Sequence, residues 1–391
     1  MSCAMWVGLA ISVLNAGGAA LSDEIIARSL VDLGDTSRLQ RVMAKAQAGE
    51  PVTVGVIGGS ITQGAMASAP EKNWGAITAD WWRRAFPEIE VTFVNAGIGA
   101  TCSDLGAHRA RKDLLSEHPD VVVMEYAVND SINPLAAETL EGLIRQTLAE
   151  PQQPAVVLFF TCADGGGSRQ PEHMPVGEHY GLPMVSMRDA LWPEVEAGRL
   201  AWSDFEADDV HPNDLGHAWC AQFLWALFDR VKADLPEDPA ALPEIAPMPE
   251  PLISDLFQHT AMYNADTIEP AHNEGFERTE PFQSYGPGWR AETPGSEIAF
   301  TVEGEAVSVL YWRIKGPMGR AIAWVDDRDP VEMEGWFNAD WGGFTPFQLV
   351  ARDLEPGPHT LRIRVLDERH PESAGHEFRI HAVMTAGGDA Q

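Results

Sequence analysis

The chain has 391 residues, too many for one ordinary domain and enough for two, and its 45% hydrophobic content can bury a full core. Its 27 Lys and Arg stand against 58 Asp and Glu, a formal net charge of −31. That sign argues against nucleic acid as a partner, since phosphate binding needs the opposite charge, and it disfavours polyanionic substrates relative to neutral ones.

In chain order, residues 3–14 are apolar and lead into Ala16-Gly17-Gly18-Ala19-Ala20, the look of a signal segment with a small-residue cleavage zone, yet no Lys or Arg precedes them. Residues 1–22 are therefore expected to be either a signal or a plain N-terminal extension. The first places the chain outside the cell or in the periplasm, the second in the cytoplasm. No other stretch is apolar enough to span a bilayer, so no integral span is expected in the mature chain. Cys3, Cys102, Cys162 and Cys220 are scattered without a C-x-x-C pair. That spacing offers neither a zinc site nor a disulfide framework, and buried free thiols are expected.

From 23 to 232 strand and helix patterns alternate. Apolar runs at 52–57, 91–94, 121–126, 155–160 and 183–185 predict buried strands. Helical patterns fall at 37–48, 74–86, 103–115, 136–148 and 215–231. Such alternation predicts a three-layer α/β/α domain with a five-stranded parallel sheet covered on both faces. Residues 233–251 carry Pro236, Pro239, Pro243, Pro247, Pro249 and Pro251, a density that suits neither helix nor ladder strand and predicts an extended linker or surface crossover. Over 252–391 the period becomes two, with strand-like runs at 298–302, 307–312, 321–325, 347–350, 359–365 and 378–383 between Gly and Pro turns. This half predicts an antiparallel β-sandwich.

Four widely spaced segments carry the chemistry. Asp208-Asp209-Val210-His211-Pro212-Asn213 places a carboxylate three residues before a histidine. That spacing closes one turn, lets the carboxylate receive the ring Nδ1–H, and leaves Nε2 free to take a proton from a hydroxyl. Gly58-Gly59-Ser60-Ile61-Thr62 supplies a hydroxyl directly after the run 52–57, where open α/β sheets present catalytic groups. It is not a G-x-S-x-G elbow, because the last position is Thr62. In Val94-Asn95-Ala96-Gly97-Ile98-Gly99-Ala100-Thr101 a glycine just past a strand lets a bare N–H approach a substrate oxygen. In Tyr126-Ala127-Val128-Asn129-Asp130 an amide after a strand can donate to a developing oxyanion. The set reads as a serine hydrolase.

Together these four segments resemble the blocks of the SGNH (GDSL-type) hydrolases, over roughly the first 60% of the chain. The first block is Gly-Gly-Ser where Gly-Asp-Ser is common, and Ala127 stands where the family usually has Gly. The Asp208-x-x-His211 block fits without departure. The resemblance implies a flavodoxin-like strand order, Ser60 as nucleophile, His211 as general base and then acid, and Asp208 as its orienting partner. It also implies an oxyanion hole from the Ser60 N–H, the Gly99 N–H and the Asn129 side chain. No metal or organic cofactor is implied. The sandwich resembles the jelly-roll modules attached to some carbohydrate esterases of this family. The implied substrate is a small acyl ester, above all an O-acetyl group on carbohydrate. A general short-chain esterase or thioesterase, a sugar O-acetyltransferase and a non-catalytic carbohydrate-binding protein are the alternatives. Oligomeric state is left open.

Each residue also has a structural reading. Ser60 could cap the following helix, and Asn129 could close an Asx turn. Gly97 competes with Gly99, and Asp209 with Asp208, although the i, i+3 relation favours Asp208. Asp130 is expected to hold its loop and His217 to pack in the last helix. His173 and His179 lie in 164–180 beside Gly165-Gly166-Gly167, a stretch that reads as a loop able to act as a lid. Trp74, Trp81 and Trp82 at helical spacing predict core. Trp336 and Trp341 lie in an irregular stretch of the second half and are the candidates for stacking on a sugar, against the alternative of core and interface packing.

Overall fold

The structure, a computed structural model, describes residues 21–388. The apolar N-terminal segment over 1–20, including Cys3, lies outside the described residues. The α/β half runs α1 (Asp23–Ser29), β1 (Leu30–Asp32), α2 (Ser37–Gln47), β2 (Val52–Gly58), α3 (Ser60–Gln63), α4 (Trp74–Ala85), β3 (Val91–Gly97), α5 (Ser103–Asp113), β4 (Val121–Glu125), α6 (Ala136–Leu148), β5 (Ala155–Phe160), α7 (Gln170–His179), β6 (Met184–Ser186), α8 (Met187–Glu196), α9 (Trp202–Phe205) and α10 (Asp214–Ala233). The sheet order is β1-β6-β5-β4-β2-β3. Its five parallel strands reverse direction of growth at β2, the flavodoxin-like switch point, and Ser60 follows β2 directly.

The strands are runs of Val, Ile, Leu and Phe because both faces are covered. Val54, Val56, Val123 and Val157 face α2, α4 and α10 in one core, where Trp74 and Trp82 are fully buried. Ile57, Val122, Met124 and Leu158 face α5 and α6 in the other. Asn73 caps α4 by accepting from Gly75 N, and Asn213 caps α10 by accepting from Leu215 N and Gly216 N.

Two expectations need correction. The sheet has six strands, not five: β1 adds an antiparallel edge to β6, with Leu30 opposite Val185. Three residues, two half-buried and one exposed, are too few to show a period. The stretch 164–180 is not an open loop but contains α7, which tolerates Pro171 in its first turn and Pro175 within.

The remaining strands are β7 (Thr260–Tyr263), β8 (His272–Glu274), β9 (Glu277–Arg278), β10 (Trp289–Ala291), β11 (Glu297–Glu303), β12 (Ala306–Tyr311), β13 (Arg320–Val325), β14 (Val331–Glu334), β15 (Phe347–Ala351), β16 (Pro358–Val365) and β17 (Phe378–Ala386). They form two antiparallel sheets, β15-β12-β17-β10-β9 with β7 on β17, and β14-β13-β16-β11-β8. Alternate residues such as Phe300, Val309, Ile363 and Ile380 fill the space between them.

The connector lies against the α/β half. Arg41 donates to Pro243 O, Arg145 to Pro249 O, and the Glu141 carboxylate accepts the amides of Ile253 (2.8 Å) and Ser254 (3.0 Å). Phe257, Ala306 and Ala386 belong to the same apolar cluster as Leu143 and Ile144 of α6. Among the described residues no helix is long and apolar enough to cross a membrane, and Cys102, Cys162 and Cys220 are buried free thiols.

Candidate active site

β2 ends at Gly58, the chain turns at Gly59, and Ser60 opens α3. His211 comes from the other side of the cleft, on a short closed loop between α9 and α10. Glu206 pairs with Pro212, Ala207 N donates to His211 O (2.8 Å), and Trp202 Nε1 donates to Asp208 O (2.8 Å). Inside that loop Asp208 Oδ1 accepts the amides of Val210 and His211, each at 2.8 Å. Asp208 Oδ2 lies 2.8 Å from His211 Nδ1, and His211 Nε2 lies 2.8 Å from Ser60 Oγ. With Nδ1 protonated toward the carboxylate, Nε2 is left to accept the Ser60 hydroxyl proton. Burial pushes the Asp208 carboxyl up, but the bonds from His211 and the two amides outweigh it and hold the group below its ordinary value. The side chains of His211 and Asp208 remain 25% and 40% exposed, so water reaches the pair. Asp209 stands outside this chain of bonds, its carbonyl accepting from Asp164 N.

The other two predicted donors gather at the same place. A Cβ on Gly59 would lie 2.2 Å from Asn129 Oδ1, so the missing side chain is what lets the amide sit against the nucleophile turn. The volume beside Ser60 is thus taken by Asn129. A Cβ on Gly99 would stand 3.8 Å from Ser60 Cβ and 3.0 Å from Gln63 Oε1. The Gly99 N–H donates to that Gln63 oxygen at 3.0 Å, so a substrate oxygen must displace the Gln63 side chain to use it. Gly97 packs on the α3 backbone, and its N–H is taken by Asn95 Oδ1 at 2.8 Å. Ala100, directly after Gly99, is held at φ +55°, a conformation that costs a non-glycine residue roughly 1 kcal/mol.

Beneath these groups lies a buried polar frame that the sequence did not reveal. Glu125, at the end of β4, is fully buried and accepts from Thr62 Oγ1 (2.9 Å) and Thr161 Oγ1 (2.6 Å), tying α3 to β4 and β5. Burial raises its carboxyl above the ordinary range, and the two threonines partly oppose the shift. Asp130 accepts Ser103 N at 2.8 Å and pairs with His173 Nε2 at 3.0 Å, holding the turn that carries Asn129. His217 lies between Trp74 N and Ala65 O, away from Ser60 Oγ. Glu206 is only 3% exposed, and neither carboxyl oxygen has a partner among the described residues. Burial, then the charge of Asp208, raises it to about 9, so it is neutral at pH 7. A signal existed for Glu125, a carboxylate set in the apolar run 121–128, but not for Glu206, which lies among Asp204, Asp208 and Asp209.

The two tryptophans part company. Trp336 is 6% exposed and stacked on His370 at 3.8 Å, so its face is covered. Trp341 is 64% exposed and leans on Phe337 and Phe344, over both of which Arg313 stands. Phe344 and Phe347 face Ala100, Asp104 and Ile132 across a cavity of about 300 Å³ between the two halves. A second cavity, of about 340 Å³, lies beneath Pro247 and Pro249 at the amino-terminal ends of β5 and β6, the far edge of the sheet from Ser60. Among the described residues no three metal-ligating side chains converge.

Residues 56–219 match the model of the GDSL-like lipase/acylhydrolase family. Over nearly its whole length the chain is similar to the crystal structure of a two-domain esterase, CEX, active on acetylated mannans. The TM-score is 0.86 at 32% identity, covering 94% of this chain and 99% of that one. The same esterase co-crystallized with mannopentaose superposes with a TM-score of 0.84 at the same identity and coverage. No curated protein sequence matches. With a jelly-roll-like sandwich following a flavodoxin-like sheet, and this likeness over both halves, the chain belongs to the GDSL-like (SGNH) lipase/acylhydrolase family and is a carboxylic ester hydrolase.

Proposed function

We propose that the enzyme removes O-acetyl groups from a neutral glycan, with Ser60, His211 and Asp208 as its catalytic residues. The observation that carries this reading is the continuous Asp208–His211–Ser60 chain of bonds, 2.8 Å at each link. Ser60 Oγ attacks the acetyl carbonyl while His211 Nε2 takes its proton. The Ser60 N–H, the Gly99 N–H and the Asn129 amide receive the oxyanion. His211 then protonates the departing sugar hydroxyl, and water, deprotonated by His211 in turn, releases acetate from the acyl-serine. The open, water-accessible His211 favours hydrolysis over transfer to a second sugar.

Two observations support the substrate class. The esterase of known structure at 32% identity acts on acetylated mannans, and the net charge of −31 suits a neutral polymer better than an acidic one. In the same reading residues 23–232 are the catalytic unit, 233–251 the connector and 252–391 an accessory unit that offers Trp341 to a sugar ring. Trp336, being covered, serves by holding that loop.

The test is acetate release from acetylated mannan and p-nitrophenol release from acetyl, butyryl and octanoyl esters, by wild type, Ser60→Ala and Trp341→Ala. Expected are turnover falling steeply beyond acetyl, loss of about 10³-fold or more in Ser60→Ala, and a raised KM for the polymer alone in Trp341→Ala. Fast turnover of octanoyl ester with none of acetylated mannan would refute the substrate class, and near-normal turnover by Ser60→Ala would refute the mechanism.

A further inference from the structure

Arg109, on α5, is 2% exposed. Burying a guanidinium costs several kcal/mol unless its donors are met, so what it binds is informative. Nη1 donates to Ala96 O (2.6 Å) and to Asp113 Oδ2 (3.3 Å). Nη2 donates to Gly58 O (3.1 Å) and Tyr126 Oη (3.2 Å). Gly58 ends β2 two residues before Ser60, Ala96 lies three residues before Gly99, and Tyr126 lies three before Asn129. The β2–β3 register stops at Gly58 opposite Gly97, and past it the backbone bond from Ile98 N to Gly58 O (3.1 Å) is joined by Arg109 at the same carbonyl. One side chain spans all three. Gly106 makes room for the Tyr126 ring that Arg109 holds, since a Cβ there would lie 2.4 Å from Tyr126 Oη.

The far side of this clamp reaches the sandwich. Ser284 Oγ donates to Asp113 Oδ2 at 3.1 Å, and Lys112 Nζ donates to Ser284 O. Ser284 sits in the turn Gln283–Tyr285, whose Tyr285 is buried in one cluster with Leu105 of α5. We propose that Arg109 is a positioning residue that sets the spacing of the three oxyanion donors, and that docking of the Ser284 turn fixes Arg109 through Asp113. The inference rests on reading Ser60 as the nucleophile and Gly99 and Asn129 as oxyanion donors. It makes the sandwich a contributor to kcat, apart from any sugar it holds.

The test uses the full-length enzyme and p-nitrophenyl acetate, which carries no sugar for Trp341 to hold. kcat and KM are measured for Arg109→Lys, Asp113→Asn and Ser284→Ala beside Ser60→Ala, below each variant's melting temperature. Expected is a fall in kcat of roughly 10- to 100-fold for Arg109→Lys and about 3-fold for Ser284→Ala, with KM within about 2-fold, because donor spacing acts on the transition state. Folded variants with wild-type kcat and only a lowered melting temperature would overturn the proposal while an inactive Ser60→Ala left the nucleophile reading standing. Should Arg109→Lys not fold, the half-exposed Ser284→Ala decides by the same criterion. Wild-type turnover by Ser60→Ala would overturn both.

Discussion

Gly59→Ala is the substitution whose cost can be worked most directly from the structure. The added carbon would stand 2.2 Å from Asn129 Oδ1, 2.5 Å from its Cγ and 2.8 Å from its Nδ2, where ordinary contact begins at 3.4 Å. Gly59 itself has φ −88°, outside the left-handed region, so the clash to be relieved is the one with Asn129. The amide must therefore retreat by about 1 Å, a misplacement that costs on the order of 10² in rate, or about 2.7 kcal/mol. Steady-state kinetics on p-nitrophenyl acetate should show that loss in kcat with KM little changed. Asn129→Ala should cost about 10²–10³ by removing the same donor. The double variant should then be no slower than Asn129→Ala alone, since the methyl added at Gly59 has nothing left to strike. The cycle would thus return a coupling of about 2.7 kcal/mol. A Gly59→Ala enzyme within about 3-fold of wild type, or losses that multiply in the double variant, would refute the placement of Asn129 as a working donor.

Two further outcomes are expected. Asp208→Asn keeps the loop's shape but turns a carboxylate into a group that can offer Nδ1 a donor, so kcat should fall about 10⁴-fold; a loss of less than about 10-fold in Asp208→Asn would remove Asp208 from the orienting role. Glu206 carries a folded-state value raised to about 9 by burial and Asp208, against an ordinary value of about 4.3. The folded state binds the extra proton between these values, so the contribution of Glu206 to stability is fullest below about 4.3 and falls as pH rises toward 9, by at most about 1.4 kcal/mol per pH unit. Glu206→Gln should lack that fall: its melting temperature should gain on wild type steadily from pH 5 to pH 9. A gap that stays constant would place an ionised Glu206 in the fold at every pH.

The parts of the site readable in the sequence are those fixed by short-range geometry. Asp208 and His211 sit one turn apart, and Gly58-Gly59-Ser60 follows a run of Val and Ile that could only be a buried strand. What escaped depends on contacts between distant positions. Thr62 and Glu125 are 63 residues apart, and Arg109 meets Gly58 across 51. Gln63, which covers the Gly99 amide, follows Thr62 without any distinguishing pattern. Helix α7 hid behind three glycines and two prolines, although proline in a first turn is no obstacle. Trp336 and Trp341 looked alike in sequence, and only burial by His370 separates them.

The apolar cluster that joins Leu143 and Ile144 to Phe257, Ala306 and Ala386 has a consequence for how the enzyme meets a polymer. A module on a flexible tether sweeps a volume, and whatever it grips is offered to the active site at an average concentration set by tether length. Here the connector is stitched down and the sandwich is packed in place. A glycan resting on Trp341 would be presented to Ser60 at a single offset along its length. The acetyl group cut would then be set by its distance along the chain from the ring that Trp341 holds.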